Sequence, residues 1–121
     1  MIHLSTSLQY YKRPEIQAAM VEHAANKEVA ARFNDKFGKR PDILSYPNDV
    51  MEFARKGATS FHCSEELWSN PLNLLPGMNR KQLDELRTGW DLLIDIDYKD
   101  FYYSKLAAEL IVKALQHHNV Q

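Results

Sequence analysis

Four aspartates, Asp91, Asp95, Asp97 and Asp100, crowd the stretch WDLLIDIDYKDF at residues 90–101. Taken as a strand over 90–97, the stretch alternates, with Leu92, Ile94 and Ile96 on one face and Asp91, Asp95 and Asp97 on the other. Same-face neighbours then lie ~7 Å apart, so converging carboxylates could bridge a cation or a metal pair. Mg²⁺ takes oxygen ligands, keeps several waters and is usually held by one or two carboxylates together with substrate phosphates. Two such ions ~3.5–4 Å apart would activate a 3′-hydroxyl and stabilise a leaving pyrophosphate, which is nucleotidyl-transfer chemistry. Without metal, like charges on one strand face repel and aspartate is a poor strand former. The bland alternative is a solvated strand end, with Asp97 or Asp100 capping the next helix.

The elements that must position these residues are mostly helical in period. Residues 5–13 fit a first helix capped by Ser5 or Thr6, and Pro14 suits the first position of a second, with Ile16, Ala19, Met20 and His23 at helical spacing. Asn26 is expected to cap a third, in which Val29, Ala30, Phe33 and Phe37 share a face and Gly38 ends the run. After the loop GKRPD comes a short extended ILSY; Pro47 then opens a helix with Val50, Phe53 and Ala54 inward, closed by Lys56 and Gly57. Residues 58–63 are a strand candidate, and Ser64 is expected to cap a short helix with Glu65 and Glu66 near its positive end. A loop over 69–77 and a helical turn or two over 80–86 precede the acidic strand. Beyond it, Tyr103, Leu106, Ala107, Leu110, Ile111, Ala114 and Leu115 form an apolar helical stripe opposite Ser104, Lys105, Glu109 and Lys113.

The expected fold is α+β: one domain over 1–121, a small mixed sheet containing 58–62 and 90–97, and helices on at least one side. A strand followed by an amphipathic helix is the first half of a βαβ unit, which needs another strand. The sequence ends at HHNVQ instead, so a fragment or a split half is expected. An incomplete sheet would leave an open edge, which makes homodimerisation or strand exchange a candidate.

The 121 residues carry a net charge of −1 and are 45% hydrophobic, which suits a globular domain and excludes a globally basic nucleic-acid binder. Any nucleic-acid contact must come from a local patch. The single cysteine, Cys63, excludes an internal disulfide and fits a reducing compartment. No apolar run approaches the ~20 residues of a membrane span, and the first residues lack a signal-peptide core. An intracellular, cytoplasmic location with no membrane partner is expected.

GWDLLIDID followed by an amphipathic helix resembles the small catalytic subunit of archaeal and eukaryotic DNA primases, in the N-terminal part of its catalytic core. That family has an apolar strand ending in D-I-D, often with an acidic residue four positions earlier. The resemblance implies that Asp95 and Asp97 are catalytic and hold Mg²⁺ or Mn²⁺ in a two-metal site, with Asp91 supporting them. NKEVAARF is similar to the family's R-E-F segment, with Lys27 for the arginine, Glu28 kept and Val29 for the aromatic. Arg40, twelve residues beyond Glu28, stands where the family has an arginine that reaches nucleotide phosphates. His62, Ser64, Trp68 and Pro71 match a further stretch before the acidic strand. The resemblance spans roughly residues 26–120, and its specific part is the D-I-D segment with its helix.

Primer synthesis on single-stranded DNA from nucleoside triphosphates is therefore the implied activity, with Glu28, Arg40 and Asp91 on the nucleotide. The family's S-G-x-x-G-x-H strand, third catalytic carboxylate and Cys/His zinc module do not occur in these residues. A partner is implied, either the primase large subunit or the missing C-terminal half of the core, and the chain alone is expected to be inactive. A primase-polymerase or end-joining polymerase, and a non-catalytic domain binding nucleic acid or a partner, remain the alternatives.

The remaining polar and aromatic residues each have a plain structural role to fill. Glu28 suits a helix surface beside a lysine, Arg40 a solvated loop, and His62 a partly buried strand position. Cys63 reads as a small buried residue. His117 and His118 suit a helix C-terminus, and Tyr10, Tyr11, Lys12 and Arg13 suit packing of a terminal helix better than a single-strand stacking platform.

Overall fold

The computed structural model describes residues 1–120 and is α+β, in two compact units, Met1–Asp91 and Leu92–Gln121. The first unit opens with α1 (Leu4–Tyr11) and α2 (Pro14–His23), followed by the strands β1 (Val29–Phe33) and β2 (Lys36–Phe37). Then come α3 (Pro47–Arg55), β3 (Ser60–Cys63), β4 (Glu66–Trp68), a 3-10 turn at Pro71–Asn73, α4 (Arg80–Leu86) and β5 (Arg87–Trp90). The second unit contains α5 (Phe101–His117).

β1 is the middle of an antiparallel sheet ordered β2-β1-β3, and β4 and β5 pair antiparallel in a second sheet. The strand candidate at 58–63 and the end of β5 thus lie in different sheets, not in one mixed sheet. Helices α1, α2 and α3 pack on the β1 face that carries Val29. There Tyr11, Ala24, Val29, Leu44, Val50 and Ala54 form the buried core, and Leu8, Ile16, Met20, Phe53 and Phe61 pack around it. Tyr11 anchors α1: its ring meets Phe61 edge-on at 5.1 Å, and its hydroxyl donates to the Thr59 carbonyl at 3.0 Å.

Local chemistry explains most of the helix ends. Pro14 and Pro47 occupy early positions where no amide partner is needed. The Asp49 carboxylate accepts from the backbone amides of Ser45 and Tyr46, both at 2.9 Å. Gly57 leaves α3 at φ +104°, a conformation that costs glycine little. Asn79 and Gln82 cap α4 reciprocally at 2.9 Å each.

Two expected helices are strands. Residues 26–37, expected to be one helix, form β1 and β2, joined by a two-residue Asn34-Asp35 turn with Asn34 at φ +58°. Asn26 does not cap a helix; it sits at φ +61° and its carbonyl accepts from the Trp68 amide at 2.8 Å. Val29, Ala31 and Phe33 share a face at period two, as Val29, Ala30, Phe33 and Phe37 would on a helix, and the Asn-Asp turn decides for the hairpin. Ser64 likewise caps nothing. Its hydroxyl accepts from the Glu28 amide at 3.2 Å and donates to the Glu66 carbonyl at 2.8 Å, and β4 follows.

The expected acidic strand is shorter and earlier. β5 ends at Trp90, whose partner is Glu66, and the Asp91 amide still donates to the Glu65 carbonyl at 2.7 Å. Beyond that the partner chain has turned away into Ser64 and β3, so residues 91–98 have no ladder to join and no regular structure. Leu92, at 68% exposure, and Ile94, at 45%, do not form a buried face. In the second unit Asp100 does cap α5, accepting from the Tyr102 amide at 2.9 Å. The apolar stripe of α5 is present, but none of its residues is buried.

Val50 is fully enclosed, so Val50→Ala is expected to cost about 2 kcal/mol through lost burial and a residual cavity. Urea denaturation should show the loss as a lower midpoint at unchanged slope.

Candidate functional site

Adjacent residues of an extended chain point to opposite sides, and Lys27 and Glu28, at the entrance to β1, illustrate this. Lys27 turns inward: its side chain is 4% exposed, and its ammonium is ion-paired with the Asp91 carboxylate, which is 45% exposed. The His23 ring nitrogen Nε2 lies 3.4 Å from the same ammonium. A buried ammonium is costly unless paired, so Asp91 is held at this point. The Lys27 hydrogen bond is the main cause that lowers the Asp91 pKa, opposed by some desolvation. Asp91, which the resemblance assigns to support of the metal pair, is paired here with Lys27.

Glu28 turns outward and holds Arg40. The guanidinium Nε donates to Glu28 Oε1 at 2.9 Å, with Arg40 59% exposed and Glu28 19%. Glu28 is therefore not on a helix surface beside a lysine. The Arg40–Pro41 peptide is cis. The pair separates two openings. One is a cavity of about 160 Å³ bordered by Phe37, His62 and Ser64, and the other a cleft of about 500 Å³ bordered by Glu66, Trp68, Leu74, Leu83 and Arg87.

Arg87 forms the far wall of the cleft. Its guanidinium lies 5.0 Å from the ring centres of both Trp68 and Trp90, and it pairs with Glu66 at 2.7 Å and with Asp84. The Glu66 hydrogen bond chiefly raises its pKa. Arg87 and Trp68 are thus a fixed wall, and Arg40 is the more accessible cation. Nothing in the local sequence around Arg87 marks it, since the sandwich requires the β4–β5 pairing. Lys27 is legible only as the arginine's stand-in in the R-E-F likeness.

Asp95 and Asp97 belong to the second unit, where both are exposed. Their carboxylates are hard oxygen donors of the kind Mg²⁺ and Mn²⁺ prefer. Among the described residues, however, no group of three or more His, Cys, Asp or Glu side chains could hold a metal. The donor type fits the implied ion and the donor number falls short. His62 and Cys63 are exposed rather than buried, at the edge strand β3. Among the described residues no helix is long and apolar enough to cross a membrane.

No family model, curated protein or solved structure matches this chain.

The lowered pKa of Asp91 fixes the sign of a pH effect. The link to Lys27 contributes fully above the ~3.9 of an unfolded aspartate and is lost as pH falls through the lower folded value. Asp91→Asn is therefore expected to lower urea stability at neutral pH, and the gap to the unsubstituted protein should close in acid below that range.

Proposed function

We propose that this chain is part of a template-dependent nucleotidyltransferase of the DNA primase small-subunit type, making primers on single-stranded DNA. The observation that carries the reading is the Glu28–Arg40 ion pair at the mouth of the cleft. The two residues that the family likeness assigns to the nucleotide, far apart in sequence, meet side chain to side chain. An arginine whose only ion-pair partner among the described residues is one carboxylate is oriented in advance, and a triphosphate offers it a stronger, bidentate partner.

Arg40 would bind the phosphates, and Glu28 would aim it while the site is empty. The apolar border at Leu74 and Leu83, with Trp68 beside it, would exclude water from one side of a bound nucleotide. Asp95 and Asp97 would hold Mg²⁺ or Mn²⁺ with waters and substrate phosphates; when bound, the ion supplies positive charge for the reacting phosphates. The missing donors would come from a third carboxylate outside these residues. The primase large subunit, or a C-terminal half of the core, is the protein partner this reading requires.

Primer synthesis should be measured with the natural gene product that carries residues 1–121, on a single-stranded template with nucleoside triphosphates and Mn²⁺. Asp95→Ala/Asp97→Ala is expected to abolish synthesis, and undiminished synthesis would overturn the assignment. Arg40→Ala is expected to raise KM for the nucleotide about tenfold, equivalent to ~1.4 kcal/mol of lost phosphate binding. Extension of a supplied primer without initiation would identify a primase-polymerase or end-joining polymerase instead.

Metal binding has its own readout. Millimolar Mn²⁺ is expected to broaden the backbone amide resonances of residues 94–98, and Asp95→Asn/Asp97→Asn should remove the effect.

A further inference from the structure

Helices α1, α2 and α3 pack on the Val29 face of the sheet β2-β1-β3, and the opposite face has its own chemistry. In antiparallel pairs, directly opposed residues share a face. Ala30 opposes His62, and Arg32 opposes both Ser60 and Phe37. The Phe37 ring is 51% exposed. His62 stands edge-on to it at 5.2 Å, and Ser60 Oγ, 3.0 Å from His62 Nε2, fixes that imidazole. The Arg32 guanidinium carbon lies 5.4 Å from the Phe37 ring centre.

Arg32 makes no ion pair among the described residues, and its buried Nε has no hydrogen-bond partner. It borders an open hollow of about 470 Å³ with Asn34, Thr59 and Ser60, where Asp35 is the one carboxylate. Within residues 32–40 the cations Arg32, Lys36, Lys39 and Arg40 face a single acid, Asp35, in a protein whose net charge is −1. The positive charge is therefore local to the hairpin whose outer face carries the exposed ring.

We infer that the exposed part of this face, at Phe37 and His62, binds single-stranded nucleic acid, with a base stacked on Phe37 and the backbone phosphate beside Arg32. Aromatic rings on an open sheet accept any base through its π face, while nearby cations follow the phosphates. His62 walls one side of the base, and Lys39, in the loop after β2, adds screened attraction. The inference rests on the nucleotidyltransferase reading for its single strand and names the surface that would hold it, and it is tested apart from catalysis because such binding needs neither metal nor nucleoside triphosphate. Arg40 remains with the neighbouring cleft.

The test is fluorescence anisotropy with the full chain and a short fluorescein-labelled oligothymidylate, in low salt with EDTA and no nucleotide. Saturable binding is expected, with oligodeoxyadenylate within a few-fold of it and blunt duplex of the same length weaker. Phe37→Ala is expected to weaken binding about tenfold or more, the usual effect of removing one base-stacking ring. Phe37→Leu keeps an apolar side chain in the hairpin and should weaken binding similarly while circular dichroism and Tm stay unchanged. Arg32→Gln should reduce the slope of log affinity against log salt by about 0.7, the loss of one phosphate contact on a single strand. Binding that persists in EDTA without nucleotide separates this surface from the catalytic reading. The inference is overturned if the unsubstituted chain binds no oligonucleotide, if duplex binds as tightly as single strand, or if a folded Phe37→Leu variant retains full affinity.

Discussion

The backbone of residues 26–32 is shared among more segments than any helix could allow. The Asn26 carbonyl takes the Trp68 amide, Glu28 takes that of Ser64, and Arg32 takes that of Thr59. Val29 exchanges both of its peptide hydrogen bonds with Asp42, and the Ala31 carbonyl accepts from Gly38. In a helix these groups would be spent on residues four positions away. Extended, they tie the second sheet, the end of the GKRPD loop and the β2 hairpin to one central strand. Buried peptide groups must be paired somewhere, and here the pairing decides the architecture of the first unit.

The candidate site follows from the same strand. Because neighbouring side chains alternate, the strand entrance sends Lys27 into the protein and Glu28 out toward Arg40. The inward ammonium needs a counter-charge, and Asp91 supplies it just after β5 ends. The outward carboxylate captures the arginine of the loop beyond β2. On the outer face of the same sheet, Arg32 and Phe37 stand directly opposite each other. One strand thus organises an ion pair beneath the sheet, a polar cleft at its end and an aromatic-basic surface on top.

The balance of forces differs between the two ion pairs. Glu28 and Arg40 are partly or largely exposed, so water screens their attraction and the pair is worth ~1 kcal/mol or less. That makes it exchangeable for a better anion. Lys27 is buried, and removing its partner would strand a charge. The first arrangement suits a ligand contact and the second a structural tether.

The sequence by itself determined most of the helices. Pro14 and Pro47 pre-set backbone angles, Gly57 ends α3, and the long 3.6-residue stripe of α5 admits no strand reading. These are local constraints carried by single residues or by many turns of one period. The acidity of the 91–100 segment and the Glu28–Arg40 spacing were legible as well, though not what they touch. Tertiary structure alone decided the rest. KEVAARF satisfies helical and extended periods alike, and only the offered partners, β3 and the Asn34-Asp35 hairpin, make it a strand. DLLIDID has the alternation of a strand yet stays irregular, because its would-be partner turns away at Glu65. Strand formation depends on a neighbour that the segment's own residues do not specify, whereas a helix closes its hydrogen bonds within itself.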